Sequence, residues 1–143
     1  MIVTFCGHAQ YQGTQEDETK IPTLLEKRIG DTPVEFFLGE HGNFDRFAYH
    51  CARVFRERHP LAKLIHVTPY LQARSSTQYD QTLYPPLETV PPRYAISHRN
   101  RWIADRSDLI IAYITHEYGG AYAMYRYAKG KGKEIYNLAS SGP

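Results

Sequence analysis

Short apolar runs and helical stripes alternate along this chain, each pair separated by a glycine or proline turn. Ile2-Val3-Thr4-Phe5-Cys6 is a β-branched run that stops at Gly7-His8, the pattern of a buried strand entering a tight turn. After a polar loop, Ile21, Leu24, Leu25 and Ile29 fall at helical spacing and predict a first helix over 20–29, with Pro22 in its first turn and Gly30 at its end. Val34 to Leu38 predicts a second strand, closed by Gly39-Glu40-His41-Gly42. Asn43 then offers an N-cap and Asp45 a first-turn carboxylate, and Phe44, Phe47, Ala48, Cys51, Val54 and Phe55 form an apolar stripe that ends at His59-Pro60. Lys63 to Thr68 predicts a third strand.

The rhythm then breaks. Pro69 to Arg93 carries Pro85-Pro86, Pro91-Pro92 and Ser75-Ser76-Thr77 without a period, and predicts a lid, a subunit-contact arm or a surface loop. Tyr70, Arg74, Tyr79 and Tyr84 would give a lid groups able to stack on a base or grip a phosphate.

The alternation resumes with a helix over Tyr94 to Arg106, a strand over Leu109 to Ile114, a helix over Gly120 to Ala128 and a strand over Glu134 to Leu138. Five strands alternating with four helices predict a parallel five-stranded sheet with helices on both faces, because parallel neighbours need right-handed crossovers. The expected fold class is one α/β three-layer sandwich over residues 1–143, with strand order 3-2-1-4-5 and a switch point between strands one and four.

Composition narrows the picture little. With 42% hydrophobic and 22% charged residues, the chain is neither disordered nor fibrous, and a net charge of +2 does not by itself call for a polyanion. Cys6 and Cys51 form no metal motif and are expected to be reduced core thiols. Reduced cysteines fit a cytoplasmic location; the apolar start is too short for a signal peptide and no run would span a membrane, so a soluble protein without membrane contact is expected.

Ligands of open α/β sheets bind beyond the carboxyl ends of the strands, at the switch point. The loops there are Gly7-His8, the Gly39 to Asp45 turn, and Thr115-His116-Glu117-Tyr118-Gly119-Gly120-Ala121. Glycine lets backbone approach a ligand closely, and free N–H groups at a helix start favour an anion. The candidate ligand-binding residues are Gly7, His8, Gly39, Glu40, His41, Gly42, Asp45, Arg99, Gly119, Gly120 and Ala121. His8, His41 and His116 end neighbouring strands but follow no metal spacing, so polar contacts to a ligand are expected rather than a metal site or a cofactor. Glu117, beside the double glycine, is the candidate acid/base. Arg99 and Arg101 lie two apart on one helix, so one should face the sheet edge and the other solvent.

Arg99 to Asp108, the strand Leu109-Ile110-Ile111-Ala112-Tyr113, the turn Gly119-Gly120-Ala121 and the segment Tyr127 to Lys133 together resemble the SLOG superfamily of Rossmann-like proteins. That group includes the LOG phosphoribohydrolases, the DprA/Smf DNA-processing proteins and many nucleotide-binding members. Val3 to His8 and the Gly39 to Asp45 turn are most similar to the YpsA-like branch. The resemblance implies a nucleotide pocket at the strand ends, with Arg99 matching the arginine that precedes the fourth strand in LOG enzymes, and a homo-oligomer. It also marks departures: Tyr122-Ala123 and Tyr125 stand where LOG enzymes place Gly-Thr and a glutamate, and Met124 where nucleoside deoxyribosyltransferases place their nucleophile.

Binding or sensing of a nucleotide-type small molecule is therefore the leading expectation. N-glycoside hydrolysis or transfer on nucleoside monophosphates or NAD-like substrates is the alternative, with Glu117 and Arg99 as its machinery. Single-stranded DNA binding through Arg53, Arg56, Arg58 and Lys63 is a further one, set against the plainer reading of a charged helix end.

Overall fold

The structure, a computed structural model, describes residues 1–71 and 77–139, so Arg74 and Ser75-Ser76 lie outside the described residues. Six parallel strands form one sheet in the order β4-β3-β2-β1-β5-β6. In chain order the elements are β1 (Ile2–Gly7), α1 (Gln15–Arg28), β2 (Glu35–Leu38), α2 (Asn43–Arg58), β3 (Lys63–Val67), β4 (Gln81–Leu83), α3 (Ala95–Arg106), β5 (Leu109–Tyr113), α4 (Gly120–Gly130) and β6 (Glu134–Asn137), with a 3₁₀ turn at Pro92–Tyr94 leading into α3.

Alternate strand residues feed two cores, as the period of two requires. Val3 and Phe5 of β1, Phe36 and Leu38 of β2 and Ile111 of β5 pack with Ile21 and Leu25 of α1 and Phe44, Ala48 and Phe55 of α2. Cys6, Phe37, Ile65 and Ile110 point the other way, onto Ile103 and Ala104 of α3 and Met124 and Ala128 of α4. The helices thus cover both faces, and the predicted order of five strands stands inside the observed one.

Two expectations are corrected. The stretch read as structureless contains β4, a sixth strand, which pairs in parallel with β3 through Ile65↔Gln81 and Val67↔Leu83. Asp80 starts it: its N–H donates to the Leu64 carbonyl at 2.8 Å, while its carboxylate accepts from Leu64 N–H at 2.8 Å and pairs with Arg56 at 2.7 Å. The first helix starts at Gln15 rather than 20, because Thr14 caps it by accepting from Asp17 N–H at 3.1 Å and Glu16, Asp17 and Glu18 complement the helix dipole. Pro22 therefore sits in the helix interior, on its exposed side, and not in the first turn.

Cys6 and Cys51 are unpaired and buried, and burial foremost pushes each thiol up to about 12. No helix among the described residues is long and apolar enough to cross a membrane.

Candidate functional site

At the carboxyl edge of the sheet, where the chain turns away in opposite directions from β1 and β5, lies a cavity of about 300 Å³. Gly7, His8, Gly39, His41, Asp45, Arg99, Gly119, Gly120 and Ala121 border it, which brings together most of the residues expected there. Thr4, Cys6, Asn100, His116, Tyr118 and Met124 complete much of the wall. Thr4, Cys6 and Asn100 were not signalled by composition or spacing. Met124 was marked through the family resemblance, and it lies one helical turn beyond Gly120 on α4.

Three expected residues do not border this cavity. Glu117 is exposed and outside its wall. Glu40 turns aside into a neighbouring groove, where it accepts from the Tyr79 hydroxyl at 2.9 Å and lies 3.9 Å from His66. Gly42 serves the fold: its φ is +126°, and a Cβ there would stand 2.6 Å from Ala9 Cα. None of the described residues from 69–93 borders the cavity.

Arg99 is the central charge. Although only 4% exposed, its guanidinium donates through Nη1 to the Val67 carbonyl at 2.9 Å and through Nε to Asn100 Oδ1 at 3.0 Å. Among the described residues, no carboxylate comes within ion-pair distance of it. Burial pulls its pKa down, opposed by Asp45 and Tyr70, yet a guanidinium stays charged at neutral pH. Arg101, two residues on, is exposed and lies over the Tyr127 ring. A Cβ at Gly39 would come within 3.0 Å of both Arg99 Nη1 and Asp45 Oδ2, so glycine is what lets the β2 turn pass between the two charges. Asp45 in turn accepts from His41 N–H at 2.7 Å, fixing the entry to α2.

The start of α4 borders the same cavity. Gly119 has φ +91° and Gly120 opens the helix, and neither makes a side-chain capping bond to the first N–H groups. Those free donors and the helix dipole form a partial positive charge facing the same cavity as Arg99. Met124 seals the wall beneath, 6% exposed, and the Cys6 thiol donates to the Ala121 carbonyl at 3.1 Å.

The histidines divide into two groups. His8 Nε2 accepts from Thr115 N–H at 3.0 Å, which puts the ring proton on Nδ1. Burial, then the neighbouring His116, lower its pKa. The His116 ring stacks on His8 at 3.5 Å, Tyr118 stacks on His116 at 3.9 Å, and His116 Nδ1 is buried without a hydrogen-bond partner among the described residues. His41, also on the cavity wall, lies edge-on to Tyr70 at 6.3 Å, while His66 stacks on Tyr79 at 4.9 Å. Burial and Arg99 lower both His41 and His66. Among the described residues, no group of three His, Cys, Asp or Glu side chains is placed to hold a metal ion.

The crystal structure of TM1055, a Northeast Structural Genomics Consortium target, matches this chain with a TM-score of 0.60 and 11% sequence identity, over 94% of this chain and 71% of that one. The likeness shows a Rossmann-like α/β fold. No family model matches the sequence, and no curated protein does.

Proposed function

We propose that this cavity binds a nucleotide or nucleotide-derived ligand, with an anionic phosphate held between Arg99 and the amino end of α4, and that the chain acts as one binding or sensing domain. The observation that carries this reading is Arg99, a buried guanidinium on the cavity wall with no carboxylate at ion-pair distance. Burying an unpaired charge costs several kcal/mol or more, a cost that an arriving phosphate offsets. Asp45, on the same wall, supplies an acceptor suited to sugar hydroxyls. The SLOG resemblance supports the same assignment, including a homo-oligomer.

N-glycosidic cleavage is the second reading, and it needs a carboxylate to stabilise the charge that develops on the sugar. Glu117 lies off the wall and Met124 is apolar, which leaves Asp45 as the carboxylate bordering the cavity among the described residues. Release of free base from nucleoside monophosphates or NAD, abolished in Asp45→Asn, would favour that reading over simple binding.

The binding reading is tested by thermal denaturation with ribose 5-phosphate and nucleoside mono- and diphosphates. A ligand at a hundred times its Kd adds about 2.7 kcal/mol, a shift of several degrees for a chain of this size. Arg99→Met should lose that shift while the ligand-free protein melts no lower than the native one, because the variant no longer buries an unpaired charge. A flat response of the native protein at millimolar ligand, or an undiminished one in Arg99→Met, would refute the site.

A further inference from the structure

We propose that Tyr118 is a stacking platform for the ligand's base, so that the site selects nucleoside phosphates by a flat aromatic ring and favours purines, whose ring area is larger. This rests on the phosphate site proposed above and concerns the other end of the same ligand.

His8, His116 and Tyr118 form a column of three near-parallel rings, tilted 16° between the first pair and 21° between the second. Its inner end is anchored, since His8 is buried and accepts from Thr115 N–H. Its outer end is Tyr118, 70% exposed, on the cavity wall, and carrying no ring contact among the described residues other than His116. A ring backed by two others is held in place before a ligand arrives, so little ordering cost remains to be met on binding. Other tyrosines nearby lack this arrangement: Tyr122 and Tyr125 tilt toward each other, lie near Arg126 and Lys129, and do not border the cavity.

Position completes the inference. Tyr118 directly precedes Gly119-Gly120, so a phosphate on the first N–H groups of α4 brings the nucleoside it carries to the rim where Tyr118 stands. His116 Nδ1, buried and without a partner among the described residues, adds an unsatisfied polar atom to the same column. Such atoms are uncommon in native proteins and mark places where a ligand or water completes the bonding. Stacking on an aromatic side chain tolerates any base, which predicts a graded preference for purine over pyrimidine and not an absolute one.

Isothermal titration with ribose 5-phosphate, AMP and CMP separates the two ends of the ligand. AMP should bind roughly 10- to 100-fold more tightly than ribose 5-phosphate, with CMP between them. Tyr118→Ala should erase the difference between AMP and ribose 5-phosphate, and Tyr118→Phe should keep it. If ribose 5-phosphate binds and AMP gains nothing, or if the gain survives in Tyr118→Ala, the platform is refuted and the phosphate site stands. If neither probe binds, the phosphate site and the platform fall together.

Discussion

Gly120 has no steric reason to be glycine in the fold itself: its φ lies outside the left-handed region, and an added Cβ would meet no heavy atom within 4 Å. Alanine is the better helix former by roughly 0.5–1 kcal/mol. Gly120→Ala is therefore expected to raise the melting temperature by a degree or more and to weaken nucleotide binding, because the methyl group stands where a phosphate would approach. Calorimetry and titration on the same variant check both halves, and unchanged affinity would show that the ligand does not come close to this turn. Residue identity pointed to the glycines and the nearby histidines, and the family resemblance pointed to Arg99. It could not show which way each side chain points, so Glu117 read as central although it is exposed, and the contact of Asn100 with Arg99 left no mark in the sequence.

Between elements, the weakest joint is β4. Its three residues are at best half-buried at the sheet edge, and Asp80 ties them to the body of the sheet through Leu64 and Arg56. Asp80→Ala removes a backbone acceptor together with an exposed ion pair and is expected to cost about 1–2 kcal/mol in urea denaturation, with faster amide exchange at Leu64. Exchange at Leu64 as slow as in the native protein would contradict that role. The same features explain why this strand was hard to read: Gln-Thr-Leu is too short and too polar to display a period, and its existence depends on contacts sixteen and more residues away. β1, β2, β3 and β5 carry enough buried apolar residues to be legible one by one, whereas β6, at best half-buried at the other edge, is marked by the Gly130-Lys131-Gly132-Lys133 turn before it. The start of α1 was obscured because Thr14 and the acidic first turn precede the apolar stripe from which helices are recognised.

For the molecule as a whole, pH dependence follows from where the fold gathers its histidines. Burial lowers His8, His41 and His66, with His116 adding to the effect on the first and Arg99 on the other two, while Asp45 and Glu40 oppose it at His41 and His66. An imidazole in the unfolded chain titrates near 6.5, so below that pH the unfolded chain binds protons that the folded one excludes. Stability should be full above about pH 6.5 and decline as the pH falls toward the lower folded values. Urea midpoints measured between pH 8 and 5 check the sign, and a flat or rising midpoint on acidification would contradict it. Sequence showed that strand ends carry histidines; that His8 and His66 are shielded from solvent is a property of the assembled edge.

The parallel pairing has its own consequence for a chain leaving the ribosome. β1 joins β2 on one side and β5 on the other, and Ile2 exchanges bonds with Asp108, donating to its carboxylate and accepting from its N–H. At roughly 5–20 residues per second, the second edge of that apolar strand waits several seconds or longer for its partner to be made. β1, made well before β5, is thus closed late, and until then its open edge is exposed to wrong pairing.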